Sequence, residues 1–146
     1  MTNGSQDSDQ KRVVRRLYEE VWSEGRLDLL DELLADSFEH HGPAVPDRVT
    51  DAAGYREFVL TFRRAFPDTR IDIVRTVEEG PTVAVRWLGS GTHDGEFMGL
   101  EPTGKRVANP GVSFVGFDAG QIGEIWDMYD TDDLLTQLGV DDSMTG

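Results

Sequence analysis

Apolar residues recur at helical spacing through the N-terminal part of the chain and then switch to alternation. Val13, Val14, Leu17, Tyr18, Val21 and Trp22 mark one face of an amphipathic helix over 9–22, ended at Gly25. Leu27, Leu30, Leu33 or Leu34, and Phe38 continue the period in a second short helix that runs into Glu39-His40-His41-Gly42-Pro43. Residues 44–50 form a Pro-containing loop. Asp51 is a natural N-cap for a third helix, whose Tyr55, Phe58, Val59, Phe62 and Phe66 make a wide apolar stripe stopped by Pro67. From there residues 70–77, 82–93, 106–117 and 121–130 read as four strands, joined at Gly80-Pro81, a longer Gly-rich link and Ala119-Gly120. Residues 131–139 form a short C-terminal helix. The predicted fold is α+β: a cone-shaped, curved antiparallel sheet packed against three N-terminal helices, with the short helix behind it. One domain spans 9–139, flanked by a disordered stretch at 1–8 and a loose acidic tail at 140–146.

Chemistry concentrates in the last strand. Period-two alternation puts Ile122, Glu124, Trp126, Met128 and Asp130 on one face, which places a carboxylate beside an apolar aromatic wall. Such a carboxylate is either paired, hydrogen-bonded or kept as a proton carrier. Asp130 can equally be the cap of the following helix. His93 closes a long strand where a pocket rim would lie, and with Asp130 it could form an acid/base pair. Of the adjacent His40 and His41 only one can point inward from extended backbone; His41 is favoured, against the alternative of a solvated loop histidine. Arg86 lies mid-strand, where an ion pair to Glu124 or Asp130 that braces the sheet is a stronger reading than substrate binding. Trp22, Phe58 and Phe62 from the helices, with Trp87, Trp126 and Met128 from the sheet, would line the cone as core or as an apolar ligand site.

Composition narrows the choice. Of 146 residues none is cysteine, which removes disulfides, thiolate nucleophiles and Cys-ligated metals. The formal charge of −14 argues against nucleic acid and acidic membrane surfaces as partners. That charge is spread along the chain, as suits a halophilic protein. No membrane-length apolar run or signal peptide is visible, so a cytoplasmic protein is expected. His41, His93 and a carboxylate could in principle hold zinc or iron, but no paired ligand spacing appears, and no metal is expected. Gly89, Gly91, Gly95 and Gly99 lie along a strand and its loop, not in a dinucleotide fingerprint, and no nucleophile-elbow motif is present.

A family resemblance rests on motifs spread over the chain. They are Phe38-x-x-His41, Tyr55-Arg-Glu-Phe58, Phe66-Pro-Asp68, Gly91-Thr-His-x-Gly-Glu-Phe97, Gly99-x-x-Pro-Thr-Gly-Lys105, Ile122-x-Glu-x-Trp-x-x-x-Asp130 and Gln137-Leu-Gly139. Together they resemble the SnoaL-like polyketide cyclases. The resemblance implies the cone-shaped fold shared with nuclear transport factor 2, scytalone dehydratase and ketosteroid isomerase, usually as a homodimer or higher oligomer. It also implies cofactor-free intramolecular aldol condensation of a polyketide ester by an aspartate acid/base, the place that Asp130 matches. His93 and His41 match pocket positions that could polarise carbonyls; Arg86 and Trp87 are carried over as pocket residues too. The expected function is therefore acid/base chemistry on a small hydrophobic carbonyl compound, by aldol cyclisation, isomerisation or dehydration. The alternative is a non-catalytic small-molecule-binding or dimerisation module of the same fold.

Overall fold

The computed structural model describes residues 7–43 and 49–140, and beyond Pro67 it is built of strands up to the last short helix, although one strand already lies among the N-terminal helices. Residues 1–6 of the expected loose N-terminus, 44–48 of the loop and 141–146 of the acidic tail lie outside the described residues. Asp7 and Ser8, expected to be loose, are engaged: Asp7 pairs with Arg15 at 2.7 Å, and Ser8 Oγ accepts from the Lys11 N–H to cap α1 (Asp9–Arg15). The helix then continues over Arg16–Trp22 with π geometry, the Ser23 N–H reaching back five residues to the Tyr18 carbonyl at 3.2 Å. This widened stretch buries Leu17, Tyr18, Val21 and Trp22.

The second helix is shorter than its apolar period predicts. A 3₁₀ turn at Leu27–Leu29 leads into α2 (Leu30–Leu33), and at Leu34 the backbone turns extended to begin β1 (Leu34–His41). Asp36 and Ser37, residues that favour competing local backbone bonds over helix interiors, stay exposed, while Phe38 and His40 point inward. β1 pairs in parallel with the last strand. Helix α3 (Ala52–Ala65) begins as predicted, with Asp51 accepting from the Gly54 N–H at 2.8 Å.

β2 (Arg70–Glu79), β3 (Thr82–Thr92), β4 (Arg106–Asp118) and β5 (Gln121–Tyr129) form an antiparallel meander, and β1 extends it at the β5 edge, giving the order β1-β5-β4-β3-β2. The sheet is therefore mixed at one edge. Leu134 of α4 (Thr131–Gln137) and the capping Leu138 that follows it pack with Phe66, Phe97 and Val107. The larger core joins the helices to the inner sheet face through residues such as Leu17, Leu30, Phe38 and Ile125. Each fully buried side chain of this kind contributes about 1.5–3 kcal/mol.

The phase of β5 decides the site. β4 alternates without interruption, with Val107, Asn109, Gly111, Ser113 and Val115 inward and Val112 and Phe114 outward. Where β5 pairs with it, the register shifts between Gly116 and Phe117: Glu124 faces Gly116 and Ile122 faces Phe117, leaving Gly123 as the extra residue of a bulge. Ile122 and Ile125 both point inward as a result. Beyond the bulge Ile125 and Asp127 are inside, and Trp126 and Met128 are outside. No described helix is long and apolar enough to cross a membrane.

Candidate active site

Between the helices and the inner sheet face lies a cavity of about 90 Å³ with an almost wholly apolar wall. Tyr18 and Trp22 reach it from the π-helical stretch, Tyr55, Phe58 and Phe62 from α3, and Trp87, Asn109, Asp127 and Tyr129 from the sheet. The aromatic wall is built of edge contacts, with Trp22 meeting Tyr55, Phe58 and Phe62 at centroid distances of 6.4, 6.0 and 5.9 Å. Trp22 Nε1 donates to the Tyr55 hydroxyl at 2.9 Å, which fixes both rings.

Asp127 is the carboxylate of this cavity. The side chain is 9 % exposed, and both oxygens are held: Ser113 Oγ donates to Oδ1 at 2.6 Å, and His40 Nε2 lies 2.7 Å from Oδ2. Behind Ser113, Trp87 Nε1 donates to Oγ at 2.9 Å, so an indole, a hydroxyl and a carboxylate form one chain directed into the cavity. Ser113 stands opposite Asp127 in the β4–β5 register, which brings the two side chains together. His40 is fully buried against Tyr55 and Phe58, with centroids at 4.9 and 4.6 Å. The space for the Trp87 ring comes from Gly111, its cross-strand partner: a Cβ there would lie 2.3 Å from the indole.

Three phenols surround this carboxylate electrostatically. Burial, followed by the negative charge of Asp127, pushes Tyr18 and Tyr129 well above the ordinary phenol range. Tyr55 rises for the same first reason, with Tyr18 and Asp127 adding to it. Ser113 acts on Tyr18 in the opposite sense, but the Tyr18 hydroxyl completes no hydrogen bond to it among the described residues. All three phenols therefore stay protonated donors at neutral pH.

Several expected site residues lie elsewhere. Asp130 is exposed, and its carboxylate accepts from the Asp133 N–H at 2.9 Å as the cap of α4; the bulge at Gly123 has moved the inward carboxylate to Asp127. His40, not His41, is the inward histidine, because β1 has period two and His40 shares the parity of buried Phe38. His41 instead stacks on Trp126 at 4.0 Å, with Nε2 3.3 Å from Glu39 and 3.5 Å from Glu124. These three side chains could together offer ligand atoms to a metal. Trp126, Met128 and His41 are outside this cavity but line an open groove that Asp127 and Tyr129 share. Arg86 points to the solvent side of β3. His93 is fully buried behind Phe66, its Nδ1 accepting from the Thr103 N–H at 3.1 Å and lying 2.9 Å from Thr103 Oγ1; it anchors the loop between β3 and β4 and does not line the cavity. Of the remaining expected pocket residues, Trp22, Phe58, Phe62 and Trp87 do line it.

The sequence reading did not assign Tyr18, Tyr55, Ser113, Asp127 or Tyr129 to the site, and it weighed His40 but favoured His41. Gly123 inside a strand pattern is the available signal for Asp127, since a strand glycine often marks a bulge that re-aims its neighbours.

The SnoaL-like polyketide cyclase model matches residues 12–138. The chain belongs to the SnoaL-like polyketide cyclase family. Nogalonic acid methyl ester cyclase of Streptomyces nogalater is 27% identical over 120 residues, covering 82% of this chain and 90% of that protein. A protein of Acidithiobacillus ferrooxidans assigned as a polyketide cyclase is 32% identical, with a TM-score of 0.80 over 91% of this chain and 96% of that one. IdmH of Streptomyces antibioticus, also assigned as a polyketide cyclase, is 29% identical with a TM-score of 0.79, covering 91% of this chain and all of its own, 100%. AclR of Streptomyces galilaeus, assigned as a hydroxylase, is 27% identical with a TM-score of 0.79, covering 90% and 81% of the two chains. The SnoaL-like fold thus accounts for the cone of helices over a curved five-stranded sheet.

Proposed function

We propose that this SnoaL-like protein is a cofactor-independent acid/base enzyme that removes a proton α to a carbonyl of a small hydrophobic compound, with Asp127 as the base. The observation that supports this most directly is a buried carboxylate in an aromatic cavity, each oxygen held by one side-chain partner. Held in this way, the carboxylate keeps a lone pair on each oxygen for an incoming C–H, and the dry wall strengthens its interaction with developing charge. In an aldol cyclisation Asp127 takes the α-proton, the resulting enolate carbon bonds to a second carbonyl carbon, and the proton returns to the new alkoxide. The methyl ester named for the Streptomyces nogalater relative supports a carbonyl substrate of this class. The volume, well under the ~300–1,000 Å³ of drug-sized sites, suits a small carbonyl compound or the reacting part of a larger one. The test is α-deuterium exchange of a 1,3-dicarbonyl probe followed by NMR. The wild-type protein accelerates exchange and Asp127→Asn does not; equal rates for the two would end the proposal.

A homodimer is part of the same reading. Phe114 and Trp126 face each other across β4 and β5, as do Val112 and Met128, and all four apolar side chains are exposed on the outer sheet face. A second copy covering that stripe would bury it. Sedimentation should give a dimer for the wild type and a monomer for Phe114→Lys; a monomeric wild type would refute the assembly.

A further inference from the structure

Among the described residues five buried side-chain polar atoms complete no hydrogen bond, on Tyr18, His40, His41, His93 and Tyr129, and of these only the Tyr18 and Tyr129 hydroxyls belong to residues that line the cavity. Among the described residues, neither the Tyr18 hydroxyl nor the Tyr129 hydroxyl makes a hydrogen bond, although both are shielded from solvent. A buried donor without a partner forfeits the hydrogen bonds it would make in water, so two in one cavity are costly unless a ligand satisfies them. Both side chains line the cavity that holds Asp127, and they come from opposite walls, Tyr18 from the helical layer and Tyr129 from β5. Tyr18 lies on the π-helical stretch, where the widened turn puts it on the cavity wall together with Trp22. Such local π geometry recurs at functional positions because it is less stable than the α-helix it replaces. Tyr129 shares its strand face with Asp127, two residues away.

We infer that Tyr18 and Tyr129 form an enolate-oxygen site, two phenol donors that bind the carbonyl oxygen of the substrate while Asp127 takes the α-proton. The inference deepens the acid/base reading above and rests on it for the identity of the base. The electron pair of the broken C–H bond becomes the new C=C bond, the carbonyl π pair moves onto oxygen, and the two O–H groups meet the charge there. Donors aimed at the place where charge develops stabilise the transition state more than the ground state. Because burial and the nearby carboxylate disfavour the phenolate forms, both phenols retain the proton that this role requires. The site therefore selects substrates whose enolate is a compact, planar oxyanion flanked by apolar surface. An enolisable ketone or β-dicarbonyl fits this description; a substrate activated only through nitrogen does not.

The probe is cyclohexane-1,3-dione at mildly alkaline pH, where it is an enolate anion, with cyclohexanone as a neutral control of similar shape. Calorimetric binding is measured in the Asp127→Asn protein, so that carboxylate repulsion does not mask the anion. Adding Tyr18→Phe or Tyr129→Phe should each weaken enolate binding by about 10-fold or more while leaving cyclohexanone binding nearly unchanged, as expected for a lost hydrogen bond to a charged atom. Unchanged enolate affinity in both double variants, or equal losses for the enolate and the neutral ketone, would overturn the inference. The two readings fail separately. Asp127-dependent exchange without phenol-dependent binding refutes only the phenol site; phenol-dependent binding without any wild-type exchange refutes only the catalytic reading.

Discussion

Asp127 and Asp130 stand three residues apart at the end of one strand, and their carboxylates do unrelated work. Asp127 faces the cavity between Ser113 and His40; Asp130 faces solvent and caps a seven-residue helix. Residue type does not separate them. What separates them is strand phase, fixed by the bulge at Gly123, together with what lies opposite: Ser113 across the ladder for Asp127, and the free N–H of Asp133 for Asp130. A carboxylate becomes a candidate base where its lone pairs meet apolar space, and a structural anchor where they meet helix amides.

The largest expected effect is on rate. In the α-deuterium exchange assay, Asp127→Asn should slow exchange by about 100- to 10,000-fold, the span of general-base contributions. Asp130→Asn keeps the cap chemistry and should stay near the wild-type rate; comparable losses at both positions would dissolve the contrast. A smaller effect is expected from Ser113→Ala, which leaves one carboxylate oxygen and the Trp87 N–H without their partner. Exchange should fall by about tenfold, and equal loss of activity and thermal stability would mean that Ser113 only packs. Next comes Asp130→Ala. Its unfolding free energy should drop by about 1 kcal/mol, as for other lost N-caps, with exchange retained.

The smallest effect separates the two regions by pH. Burial and the Asp127 charge raise Tyr129 above its unfolded value, so the neutral phenol contributes stability that is complete below an ordinary phenol pKa of about 10 and is lost as pH rises past it. Thermal melts on the alkaline side should decline less steeply for Tyr129→Phe than for the wild type. Asp130→Ala should run parallel to the wild type there, shifted by a constant.

Much of this architecture was legible in the pattern. The helix over the first turns, α3 with its Asp51 cap, the four meander strands and the final helix follow from periodicity, capping and turn residues, signals that are local. β1 was not legible, because Leu34 and Phe38 also fit a helical stripe and only pairing with the distant β5 decides for a strand. The aromatic wall of Trp22, Phe58, Phe62 and Trp87 was visible for the same local reason. The motif around the last strand pointed to the segment whose inward carboxylate is Asp127 and not Asp130, since counting by twos from Ile122 through Gly123 carries the inward face onto Trp126 and Asp130. The histidine choice failed on the same arithmetic, a spacing of three from Phe38 applied to a strand. Ser113 carried no signal of its own: its role exists only through its cross-strand neighbour.

Gly111 gives the cavity one more property. The indole that holds Ser113 occupies the space over this glycine, so the alignment of Ser113 and of the Asp127 carboxylate depends on a position with no side chain of its own. Drift at that position is therefore coupled to drift at Trp87: a methyl group at 111 evicts the indole, and only a smaller ring at 87 would accommodate it. In this chain the two positions are sterically one unit, and a change at either calls for a matching change at the other.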